Sequence, residues 1–99
     1  MINKTLNIVK NNFEELPNNI EAEQSVIGTI LVSNEIFDEI NTIISNNNFY
    51  DPMHQKIFSA IENLIYKGML ANPITLKLIL RFLLVLPIHT IRYFLYLIF

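Results

Sequence analysis

His54 lies three residues after Asp51, a spacing at which a carboxylate could orient an imidazole as a general base or share a ligand with it. Both residues fall at the start of a helical pattern, where contacts with the helix cap and with solvent are the simpler expectation. Glu21 and Glu23 are two positions apart. On a helix that spacing puts them on different faces, so they do not suit paired-carboxylate chemistry. Their expected work is to complement the positive end of the helix dipole. His89 stands in an apolar stretch with no acid or cysteine near it in sequence. The chain has no cysteine, which excludes a disulfide, a thiolate zinc site and a cysteine nucleophile. Its two glycines, Gly28 and Gly68, are too few for a Gly-rich phosphate cradle. The expectation is a chain with no catalytic, cofactor-binding or metal-ligating residue and no cofactor.

The elements that would position these side chains are helical. Residues 1–16 place Ile2, Leu6, Val9, Phe13 and Leu16 at helical spacing, but frequent asparagines lower helix propensity, and a loosely ordered arm is expected. Pro17-Asn18-Asn19 marks a boundary with a good N-cap residue. Ala22, Val26, Ile27, Ile30 and Leu31 then form one face of a helix over 20–32. Ser33-Asn34 ends it, and Ile36, Phe37, Ile40, Ile43 and Ile44 continue the stripe over 35–45, until the polar run 45–48. Asp51 with Pro52 is a strong start signal for a helix over 52–67, with Ile57, Phe58, Ile61, Leu64 and Ile65 inward. Lys67-Gly68 reads as its left-handed C-terminal cap. A fourth helix is expected from about 75, with Thr75 as its cap. Short helices with narrow apolar stripes can bury them only against each other, so the fold class is an all-α bundle without sheet. Phe37, Phe49, Tyr50 and Phe58 belong to its core, because a nucleic-acid stacking platform would need interleaved basic residues. Gly28 inside a helix suggests close approach of a neighbouring helix, and Glu35, Asp38, Glu39 and Glu62 a solvated face.

The string Leu16-Pro17-Asn18-Asn19-Ile20-Glu21-Ala22-Glu23-Gln24-Ser25-Val26-Ile27-Gly28 resembles the opening of the N-terminal domain of DnaB-type replicative DNA helicases. Phe49-Tyr50, Met53-His54-Gln55-Lys56-Ile57-Phe58, Tyr66-Lys67-Gly68 and Pro73-Ile74-Thr75-Leu76 follow at matching distances. The resemblance covers about residues 16–77. It implies a helical domain that pairs with its like to form the collar of a hexameric ring, docks primase, and is joined to an ATPase motor using ATP and magnesium. The implied partners are a second copy of the chain, a full-length replicative helicase and primase, and the implied location is cytoplasmic. This chain has no Walker A lysine, magnesium carboxylate or arginine finger of its own, so helicase activity is not expected of it alone. Its net charge of −2 argues against direct DNA binding.

Three segments are therefore expected: an arm at 1–16, a partial helicase N-terminal domain at 17–77, and a tail at 78–99 that departs from the family pattern. All nine acids and thirteen asparagines precede residue 78, whereas 17 of the last 22 residues are apolar. A shift of reading frame near codon 77 would produce such a break. On that view the tail fits nothing around it, leaves a large exposed patch, and makes the chain poorly soluble until it is deleted. The alternative is a small membrane-associated protein working through the tail. Arg81, Pro87, His89, Thr90 and Arg92 interrupt the segment and disfavour a span.

Overall fold

The computed structural model describes residues 19–98, so the expected arm at 1–16 lies outside the described residues. The helices are α1 (Ile20–Val32), α2 (Phe37–Asn41), α3 (Pro52–Tyr66), α4 (Pro73–Phe82) and α5 (Ile88–Ile98), with 3-10 turns at Asn34–Ile36 and Asn46–Asn48. No strand occurs among the described residues.

The starts and stops follow local chemistry. Asn19 caps α1 by accepting from the Ala22 N–H, and Asp51 caps α3 by accepting from the Met53 N–H, with Pro52 in the first turn. At the far end of α3, Gly68 adopts φ 74°, the Gly68 N–H donates to Ile65 O, and the Met69 N–H donates to Leu64 O. This is the left-handed cap expected of Lys67-Gly68. The cap of α4 differs from expectation. Asn72 is the cap residue, and Thr75 sits three places inside, its hydroxyl accepting from the Asn72 N–H in a reciprocal capping box. The second helix is also shorter than 35–45. It begins as a 3-10 turn and stops at Asn41, leaving Ile43 on the surface.

Four helices close into a ring. α3 packs against α1 and α4, while α5 packs against α4 and α1, so each of the four touches two neighbours. Val26, Ile27, Ile30, Phe37, Ile40, Ile44, Ile57, Phe58, Ile61 and Leu64 are all buried inside, as the stripes require. Tyr50 is the exception among the expected core aromatics, at 61% exposed. Its backbone is held, as described below, but its ring points outward.

The tail is where structure and sequence reading part most. Rather than fitting nothing, residues 78–98 complete the bundle. Leu80 and Ile91 are fully buried, and Ile79, Leu86, Phe94, Leu95 and Ile98 pack against the core. α5 runs back over the gap between α1 and α4, and a Cβ added at Gly28 would lie 3.5 Å from Ile98 Cγ2. A neighbouring helix does lie against Gly28, at a distance an alanine would tolerate. No helix among the described residues is long and apolar enough to cross a membrane. The tail keeps one irregularity. In the turn between α4 and α5, Val85 has φ 54°, while the Leu86 N–H reaches back to Leu80 O at 3.0 Å. A β-branched residue in the left-handed region is strained by about 1–2 kcal/mol.

Two outcomes follow for stability. Ile91→Ala should lower the unfolding free energy by about 3 kcal/mol, and a chain ending at Lys77 should lose cooperative unfolding, both read by chemical denaturation. An unchanged midpoint in the shortened chain would show that the end of α4 and α5 together contribute nothing. Val85→Gly should raise stability by up to about 1 kcal/mol, since relief of strain exceeds the added freedom of the unfolded chain. A loss of stability there would contradict the strained turn.

Candidate functional site: a buried carboxylate clasp and an exposed apolar hairpin

The polar residues singled out from the sequence are brought together differently from their spacing. Asp51 and His54 do not pair; the Asp51 side chain is occupied by its own helix cap. His54 is fully buried, not in contact with solvent, and its Nδ1 lies 2.8 Å from Glu23 Oε1. Glu23 is itself only 1% exposed. Its other oxygen accepts from the Tyr50 N–H at 2.7 Å, and Oε1 also lies 3.3 Å from the Asp51 N. One carboxylate on α1 thus gathers the free backbone donors ahead of α3 and the first imidazole inside it. This gives an acceptor to the N–H groups of the cap residue Asp51 and of Tyr50 just before it. Glu21, by contrast, stays exposed in the first turn of α1, where the dipole role suits it.

Around the clasp runs an aromatic column. Phe37 meets Phe58, Phe58 meets Phe49, Phe49 meets His54 and His54 meets Phe94, with centroids 5.1–6.4 Å apart. The column links α2, the loop before α3, α3 itself and α5. The His54 Nε2 atom has no hydrogen-bond partner among the described residues. A second polar tie was also not foreseen. Asn34 accepts from the Ala71 N–H and donates to Ala71 O, both at 2.8 Å, locking the α1–α2 turn to the loop before α4. Glu35, exposed in that turn, has its carboxyl held below the usual range by its own backbone N–H and the Ser33 hydroxyl.

No cluster of three or more His, Asp or Glu side chains that could hold a metal occurs among the described residues. His89 is exposed at the start of α5, and Glu35, Asp38 and Glu39 are on the surface as expected, with Glu62 half-buried. What the chain offers outward is apolar. Ile74, Leu78 and Phe82 follow one another along the outer face of α4 at helical spacing, and Leu83, Leu84 and Val85 extend the strip over the turn. Phe82, Leu83 and Val85 are 70%, 64% and 76% exposed. Beside the strip, an apolar groove is walled by Leu64, Met69, Leu78, Ile79, Phe82 and Leu83. A contiguous apolar surface of this kind marks a contact for another molecule.

A family model described as the DnaB-like helicase N-terminal domain matches residues 15–97. The chain belongs to that family. The matched range runs beyond Lys77, where the motif-by-motif resemblance stops, and takes in α4 and nearly all of α5. Among curated relatives, the replicative DNA helicase DnaB of Rickettsia typhi is 43% identical over 82 residues, covering 77% of this chain and 16% of that protein. Its counterpart in Rickettsia prowazekii is 45% identical over 62 residues, or 63% of this chain and 13% of the relative. That of Buchnera aphidicola is 44% identical over 63 residues, 64% of this chain and 14% of the relative. The chain therefore spans about one sixth of the length of these relatives or less. No solved structure matches it.

Within this DnaB-type domain the clasp can be measured. Glu23→Ala should cost about 3 kcal/mol, because it leaves buried N–H groups without an acceptor. A double-mutant cycle with His54→Ala should return a coupling of at least about 1 kcal/mol. Additive losses would show that Glu23 and His54 stabilise the fold independently.

Proposed function

We propose that this chain is a protein-interaction module of DNA replication. It associates with the N-terminal collar of a DnaB-type helicase, through a helicase N-terminal domain or a second copy of itself, and presents a docking surface to primase. The chain hydrolyses no ATP and contacts no DNA itself, since its sequence has neither a phosphate loop nor a basic patch. The observation that carries this reading is the apolar strip over α4 and the following turn, in a chain whose matched family is the helicase N-terminal domain. Covering such a surface removes apolar area from water, which favours association.

The test is association. Purified chain should bind the isolated N-terminal domain of the Rickettsia typhi helicase, or itself, with a dissociation constant no weaker than about 100 µM in sedimentation equilibrium. The Phe82→Ser, Leu83→Ser double variant alters exposed side chains and should weaken that association at least tenfold without lowering the melting temperature. ATPase activity should equal that of a blank. A chain that stays monomeric, ignores the helicase domain and turns over ATP would overturn the proposal.

A further inference from the structure

Between α4 and α5 lies a second groove, walled by Pro73, Ile74, Lys77, Arg92, Leu95 and Tyr96. It shares only Ile74 with the apolar strip, and it combines two kinds of chemistry. Ile74 and Leu95 supply an apolar floor. Lys77 on one helix and Arg92 on the other place a cation on each wall. Neither cation forms an ion pair among the described residues. No acid exists anywhere from Asn63 to Phe99 to neutralise them, and Arg81 follows Lys77 by one helical turn on α4. The acids of the chain lie instead on α1, α2, α3 and the turns between them, or in the arm.

We infer that this groove binds an acidic amphipathic helix, laid along α4 and α5 with its carboxylates between Lys77 and Arg92. Three features select that occupant. Cations facing each other across a cleft contact an anionic ligand from both sides, and Arg92 can take a carboxylate through two parallel N–H groups. The floor needs apolar side chains from the same ligand, and exposed Tyr96 gives a rim with an apolar ring and a polar tip. Both walls are α-helices whose backbone groups are already paired, so an extended peptide would find no ladder. The ligand must satisfy its own backbone, which a helix does. The lining runs from Pro73 to Lys77 on α4 and from Arg92 to Tyr96 on α5, about 6 Å along each helix at 1.5 Å per residue, so the groove grips roughly one turn of that helix. A bilayer would meet the convex hairpin tip in preference to this cleft. A nucleic acid would need many more than two cations.

The test uses the full chain and an N-acetylated, C-amidated peptide of about 16 residues with leucine at i, i+3, i+4 and i+7 and glutamate beside them. A control peptide carries lysine for each glutamate. By fluorescence anisotropy the glutamate peptide should bind at least tenfold more tightly than the lysine peptide. Its affinity should fall severalfold between about 50 and 300 mM NaCl, as screening requires. Lys77→Glu with Arg92→Glu should reduce binding at least tenfold while the circular-dichroism melting curve stays in place. Phe82→Ser with Leu83→Ser, which lies outside the groove, should leave peptide binding unchanged. That separates this groove from the association surface proposed above. Equal binding of the two peptides, indifference to the charge reversal, or capture by phosphatidylglycerol vesicles with no peptide binding would each overturn the inference.

Discussion

Glu23 is a charged side chain placed where an apolar one would be easier to bury. Desolvating a carboxylate costs several kcal/mol unless its oxygens are fully occupied. Here they are occupied by backbone N–H groups ahead of α3 and by the His54 ring, so the same contacts that stabilise the acid fix where α3 begins relative to α1. The rest of the bundle takes its register from that junction. His54 carries the aromatic column toward α2 on one side and α5 on the other. Asn34 performs a similar service at the opposite end, pinning the α1–α2 turn to the loop that launches α4. Two side chains, each with several donors or acceptors in use, hold elements that apolar packing alone would let slide.

Apolar packing itself is non-directional, and this explains which parts of the fold were legible in the sequence. Stripes such as Val26-Ile27-Ile30 and Ile57-Phe58-Ile61-Leu64 state which face is inward, and every residue of these two stripes is buried. Caps that rest on a residue and its immediate neighbours, at Asn19, Asp51 and Gly68, were legible too. The polar ties were not, because Glu23 meets His54 and Asn34 meets Ala71 across long stretches of chain. One signal did exist. Glu23 falls four residues before Ile27 and seven before Ile30, on the buried stripe and not the solvated face. An acid on an apolar stripe asks for a buried partner, and His54 is the polar counterpart on the stripe of α3. Tyr50 misled for the opposite reason: its backbone is anchored inside while its ring is free to face out.

The tail shows how a break in composition can coexist with continuity in packing. Hydrophobicity without acids or asparagine reads as a foreign segment, yet helical spacing puts Leu76 and Leu80 inward on α4 and Ile91 inward on α5. The residues left outside, Ile74, Leu78, Phe82, Leu83, Leu84 and Val85, are the surplus that a self-sufficient domain would replace with polar side chains. In a chain matched by the helicase N-terminal domain, that surplus is what the proposed association would use.

The closed ring of helices has a further consequence in time. α5 is the last of the five described helices to be synthesised, and it is the one that lies over both α1 and α4. Until its residues leave the ribosome, Gly28 has no neighbour at Ile98, His54 has no Phe94 beside it, and the seam between the outer helices stays open. The local pairs α1–α3 and α3–α4 can form as the chain emerges. The α1–α5 contact must close nearly the whole described sequence into one loop, an entropic step that comes late and slowly. A nascent chain of this kind therefore presents its unfinished seam to its surroundings before it presents its finished surface.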